Sequence, residues 1–132
     1  MARWPTEAVQ IALERGDLDD WRRIVGELKR DPWGRTARQV EEVLSYSRPY
    51  GIAEAIETVL AWIRADVEAG EREQVAADVR GAIAMSGLSR ADFASRIGTS
   101  ASRLSTYATG KVTPSATLFL RIRRLADLLG QR

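Results

Sequence analysis

The chain has 132 residues, 45% of them apolar and 7% aromatic, with 20 Lys and Arg against 18 Asp and Glu for a formal net charge of +2. That length suits one compact domain or two small helical ones, and no apolar run approaches the roughly 18 residues of a membrane helix. Cysteine and histidine are both absent, which removes disulfides, thiolate metal sites, the commonest metal ligand and the commonest general base.

The N-terminal stretch MARWPTEAVQ lacks the apolar centre of a secretory signal, so a cytoplasmic protein is expected. The spacing predicts a first helix over Thr6–Arg15, with Thr6 as N-cap, Ala8, Ile11 and Ala12 on its apolar side, and Gly16 as stop. Asp17 or Asp19 caps a second helix, in which Leu18, Trp21, Ile24, Val25 and Leu28 share one face. Asp31 and Pro32 read as the cap and first residue of a third, with Trp33, Ala37, Val40, Val43 and Leu44 as its stripe. After the turn Arg48-Pro49-Tyr50-Gly51, a long helical pattern runs through Ile56, Val59, Leu60, Ile63 and Val67. Gly70 interrupts it weakly. The period resumes at Val75, Val79, Ala82 and Ile83 and ends at Ser86-Gly87. Trp4, Trp21, Trp33 and Trp62 read as core at helical spacing, the alternative being a partner-binding surface. Four short helices bury a core of their own only marginally. The front half is therefore expected to pack on the back half, on a second copy or on another protein. No strand pattern, repeat or low-complexity segment is visible.

Residues 88–114, LSRADFASRIGTSASRLSTYATGKVTP, read as two short helices joined by a tight turn and followed by a glycine stop and a basic loop. Ser89 is a good N-cap, with Asp92 three residues on. The helix Arg90–Ile97 turns Phe93, Ala94 and Ile97 to one side, and the small Ala94 lets a second helix cross closely. Gly98 stands where the turn needs positive φ, and Ser100 caps the helix Ala101–Thr109. At about 100° per residue, Leu104, Tyr107 and Ala108 form its core side. Ser102, Ser105, Thr106 and Thr109 lie opposite, with Ala101 at the leading end and Arg103 on the flank. Gly110 stops the helix and Lys111 follows. Thr113-Pro114 or Ser115 opens a last helix through Leu118, Ile122, Leu125, Ala126 and Leu129, with Leu120 and Leu128 off its core stripe. Charge is uneven: residues 1–70 carry 10 Lys and Arg against 13 Asp and Glu, while residues 71–132 carry 10 against 5. A basic back half points to a polyanionic partner.

Over residues 72–129 the chain resembles the Cro/repressor-type helix-turn-helix family, also called XRE-family regulators. The matching residues are Leu88-Ser89, Phe93-Ala94, Ile97-Gly98, Ser100, Leu104-Ser105, Gly110-Lys111, Pro114-Ser115 and Leu118, in register without a gap. Together with the helical patterns that precede it, the resemblance leads to an expected all-α fold, an N-terminal helical bundle followed by a five-helix Cro/repressor-like helix-turn-helix domain. The expected division is residues 1–70, an α-helical region for dimerisation or partner binding, and 71–132, the helix-turn-helix domain that the resemblance assigns to DNA binding. The resemblance implies that Arg90, in place of the usual Gln, meets a phosphate or base at the groove edge. Ala101, Ser102 and Thr106 stand at base-facing positions, with Arg103 and Ser105 nearby and Ser100 at the helix start. Thr109, Lys111 and Thr113 stand where the family grips the backbone. Ala108 replaces an acidic residue usual before the stop, so a local charge interaction is missing. The reading face lacks Asn and Gln, so bidentate adenine contact is unavailable there. Base choice then rests on Arg90 or Arg103 to guanine, on methyl contacts from Ala101 and Thr106 to thymine, and on DNA shape.

Each assignment has a plainer alternative. Ser102, Ser105 and Thr106 form a solvated face; Lys111 compensates the helix dipole; Arg121, Arg123 and Arg124 read as solvated surface ahead of groove contact. Leu120 and Leu128 are either covered by the front half or a dimer contact. The expected function is a bacterial sequence-specific DNA-binding transcriptional regulator acting as a homodimer on double-stranded DNA, with the helix Ala101–Thr109 in the major groove. The alternative is an antitoxin-like or adaptor protein whose N-terminal half binds a small protein partner while the C-terminal half autoregulates its operon. No GxSxG, HExxH or GxxxxGK[ST] pattern occurs. The pairs Asp19-Asp20 and Glu41-Glu42 point in different directions along their helices. No enzyme, cofactor or metal site, and no membrane association, is expected.

Overall fold

The computed structural model describes residues 4–130. Among them seven helices follow in order: α1 (Thr6–Arg15), α2 (Leu18–Arg30), α3 (Arg35–Tyr46), α4 (Ile52–Ser86), α5 (Arg90–Ile97), α6 (Ala101–Thr109) and α7 (Ala116–Gly130). No described residue lies in a strand, and the fold is all-α as expected. The chain divides into two compact units between Val67 and Glu68.

The first unit packs α1, α2, α3 and the first part of α4 around Val9, Leu13, Ile24, Leu28, Val40, Val43, Ile56 and Leu60. Its helix starts and buried faces differ from the local sequence signals at several points. Thr6 is the first helical residue of α1 rather than its cap; Pro5 precedes it in extended conformation and no side chain caps the end. The buried face of α1 is Val9, Ala12 and Leu13, while Ile11 faces solvent. The five apolar residues of α1, Ala8, Val9, Ile11, Ala12 and Leu13, spread over roughly half of its circumference, wider than one packing face, so packing against α3 selects among them. Asp17 caps α2, its carboxylate accepting from the Asp20 N–H at 3.0 Å. Leu18 is exposed, and Ile24 and Leu28 carry the burial. Asp31 and Pro32 do not start α3. They open a turn closed by the Gly34 N–H donating to the Asp31 carbonyl at 3.0 Å, with Pro at the second position, where its fixed φ suits a turn. α3 begins at Arg35.

Trp33 is displaced onto that turn and out of the core. Arg64 of α4 lies over it, with its guanidinium carbon 5.5 Å from the ring centroid. The same group donates to the Pro32 carbonyl and to Glu41, each at 2.9 Å. Trp21 is half-buried, its indole N–H donating to the Ala12 carbonyl at 3.0 Å. Trp62 is 70% exposed. The expectation of four core tryptophans holds in part: Trp4 packs partly buried against the first core and Trp21 is half-buried, while Trp33 and Trp62 are exposed, because an indole lying across a helix surface keeps one edge wet.

Gly70 does not interrupt α4, which runs unbroken for 35 residues. A lone glycine costs a helix about 1 kcal/mol. The neighbours Ala69, Glu71, Arg72, Glu73 and Gln74 are mostly strong helix formers and carry the helix past it. The second unit has four helical segments where five were expected: residues 68–86 of α4, then α5, α6 and α7. Between α6 and α7 the chain runs as a loop around the buried Pro114, and no extra helix forms. Its core joins Val79, Phe93, Ala94, Ile97, Leu104, Tyr107, Ile122, Leu125 and Leu129.

Candidate nucleic-acid interface

Two caps and two glycines shape this unit. The Ser89 hydroxyl accepts from the Asp92 N–H at 3.1 Å and starts α5. Phe93, Ala94 and Ile97 then face inward, each nearly inaccessible. At Gly98 the backbone turns left-handed, with φ +83°. The Gly98 N–H donates to the Ser95 carbonyl at 3.3 Å and the Thr99 N–H to the Ala94 carbonyl at 3.0 Å. This paired closure satisfies two carbonyls that a helix end otherwise leaves bare. Ser100 returns to extended geometry, and its hydroxyl accepts from the Arg103 N–H at 3.1 Å, starting α6. Three residues thus reverse the chain, and the underside of α6, Leu104, Tyr107 and Ala108, is buried.

Two short helices joined by a three-residue glycine turn, with the second lying over the first, form a helix-turn-helix. A helix-turn-helix domain family matches residues 63–131, just over half of the chain. The chain belongs to this helix-turn-helix family. No curated protein and no solved structure matches the chain. Membership supports DNA binding by a regulator as the general activity. Among the described residues no helix is long and apolar enough to cross a membrane, and no three acidic, His or Cys side chains are grouped to hold a metal.

The outer surface of this helix-turn-helix domain carries the ten candidate residues. Ala101, Ser102, Arg103 and Thr109 are exposed along α6, and Ser105 and Thr106 are half-buried. The Thr106 hydroxyl donates to the Arg103 carbonyl at 2.6 Å, and the Thr109 hydroxyl donates to the Thr106 carbonyl at 3.2 Å. Both hydroxyl protons are therefore spent on the helix's own backbone. Arg90, at the start of α5, reaches α6 and donates to the Ser105 hydroxyl at 3.4 Å. Arg103 lines a shallow depression with Gly98, Thr99 and Ser100. Lys111 and Thr113 are exposed in the loop after Gly110, whose φ is +81°. Among the described residues no hydrogen bond joins these two to the group at the head of α6. Ser115 opens α7, accepting from the Leu118 N–H at 3.2 Å.

Three further side chains hold this surface: Glu73 and Arg80, without an assigned role in the sequence, and Arg121, expected there as solvated surface. Arg80 of α4 donates to the Ala108 carbonyl at 2.7 Å and to the Glu73 carboxylate at 2.9 Å. Arg121 of α7 donates to the Ile97 carbonyl at 3.4 Å, beside the glycine turn. The acceptors on α5 and α6 are backbone atoms, which leave no trace in residue types. The seven-residue spacing of Glu73 and Arg80 was the only available signal. Leu120 and Leu128 are 47% and 62% exposed.

Proposed function

We propose that the chain is a sequence-specific DNA-binding transcriptional regulator of the Cro/repressor type, a bacterial cytoplasmic homodimer that lays α6 in the major groove. The observation that carries the reading is the pairing of an outward, short-side-chained face on α6 with a buried underside. Ala101, Ser102, Ser105 and Thr106 let a duplex approach closely, while Leu104 and Tyr107 hold the helix in place. With its hydroxyl turned in, Thr106 offers a methyl group to thymine, as does Ala101. Arg103 reaches guanine from the flank. Arg90, resting on Ser105, meets the backbone at the groove edge, and Thr109, Lys111 and Thr113 grip phosphates beyond Gly110. One such module buries little area, so two copies on half-sites about one helical turn apart supply the affinity.

In vitro selection of bound duplexes followed by gel shift tests this. Arg103→Ala is expected to cost about 1–3 kcal/mol on the selected site and to relax choice at one position. Lys111→Ala should weaken binding to every sequence and lower the salt slope by about one. Unchanged binding by both variants removes the groove assignment.

A second reading follows from the first unit, where Leu18, Tyr46, Tyr50 and Trp62 are all exposed. Large apolar side chains on a surface suit a protein partner, as an antitoxin-like or adaptor protein needs. Co-purification of a second small protein that is lost on Trp62→Ser favours this reading.

A further inference from the structure

α6 carries the proposed reading face, and its two ends are held differently. At its head the Ser100 cap holds the first turn, and Arg90 reaches Ser105 one turn further on. At its tail the carbonyls of Thr106 and Tyr107 are taken by the Val112 and Gly110 N–H groups, at 3.2 and 3.3 Å. The next carbonyl, of the buried Ala108, is taken from outside the helix-turn-helix pair by Arg80. A cation there also meets the negative end of the helix dipole. Arg80 is in turn held by Glu73, two turns earlier on the same helix. Arg80 is thus the one side chain of α4 hydrogen-bonded to α6 among the described residues, beside the close packing of Ala76 of α4 on Gly110 at the tail of α6.

We infer that Arg80, oriented by Glu73, is a positioning residue that fixes the docking angle of α6 and thereby sequence discrimination, without itself touching DNA. The inference rests on the DNA-binding reading above. It differs from a phosphate-contact role in sign as well as size. A phosphate contact adds affinity on all sequences; a brace adds affinity only where α6 must match base edges. Releasing Arg80 from Glu73 frees a phosphate-seeking cation but loosens a brace.

The test uses the full chain, its selected duplex and an unrelated duplex across a salt series. Arg80→Ala is expected to lower affinity for the selected site about tenfold while leaving the unrelated duplex within about twofold and the salt slope unchanged. Glu73→Gln should shift the same ratio in the same direction, by about two- to threefold. An equal loss on both duplexes with a slope lower by about one, tighter binding by Glu73→Gln, or no change in either variant overturns the inference. Amide exchange without DNA separates this failure from failure of the function. In Arg80→Ala the last turn of α6 should exchange faster while α5 keeps its protection. Unchanged exchange overturns the brace whatever the chain binds. Faster exchange in a chain whose wild type binds no duplex supports the brace and removes the DNA reading instead.

Discussion

Gly98 shows how one residue sets the geometry of the domain. A Cβ added there would meet nothing nearer than the Arg121 guanidinium at 3.6 Å, so space is free and only the backbone objects. Left-handed geometry costs a non-glycine residue about 1–2 kcal/mol, and Gly98→Ala is expected to destabilise by that amount. Urea unfolding should show a lower midpoint with the slope retained. Glu14 illustrates a residue whose charge matters. It accepts from the Ser47 hydroxyl at 2.5 Å and from the Gln10 amide at 3.0 Å, and these bonds, Ser47 first, hold its carboxyl below the ordinary 4.5. Arg30 does the same for Glu27. A carboxyl whose folded pKa is depressed contributes stability above its unfolded pKa and loses it as pH falls through the folded value. Thermal melts should therefore be flat above about pH 6 and fall in the acid range below the ordinary glutamate value. Glu14→Gln should melt with a smaller drop between neutral and acid pH than the wild type.

Among the elements, α4 tests how propensity and packing combine. Gly70 lies on an open helix surface with no atom within 4 Å of where a Cβ would stand. Gly70→Ala is therefore expected to stabilise by about 0.5–1 kcal/mol, read as a higher melting temperature. α5 depends instead on burial. Phe93 is completely inaccessible and packs in the second core, so Phe93→Ala should cost about 3–5 kcal/mol. The resulting loss of near-ultraviolet dichroism from Tyr107 would register the loosened underside of α6. The helix starts divide the same way. Ser89, Ser100 and Ser115 cap as their sequence positions suggest, because a hydroxyl and the N–H three residues on meet in local geometry. Asp31 does not cap α3, because a proline next to it favours a turn and the chain had two ways to use the same residues.

For the whole molecule, the uneven charge has a measurable consequence. With 10 Lys and Arg against 5 Asp and Glu in residues 71–132, binding to any duplex should weaken steeply with salt. A homodimer on two half-sites should protect two patches about 34 Å apart in footprinting and saturate at two chains per duplex. The all-α class, the helix-turn-helix, its caps, both turn glycines and the buried set Phe93, Leu104 and Tyr107 were legible in residue order. Each depends on contacts within a few positions, or on a helical period that admits only one buried face. The buried face of α1, the exposure of Trp33 and Trp62, the turn at Pro32 and the unbroken run of α4 were not. In those segments local preference allowed more than one outcome, and packing between helices distant in sequence chose among them. Arg80 is the extreme case: its partner is the backbone of Ala108, and a carbonyl has the same chemistry at every residue. Only folding, which brings α4 against the tail of α6, gives that arginine a role.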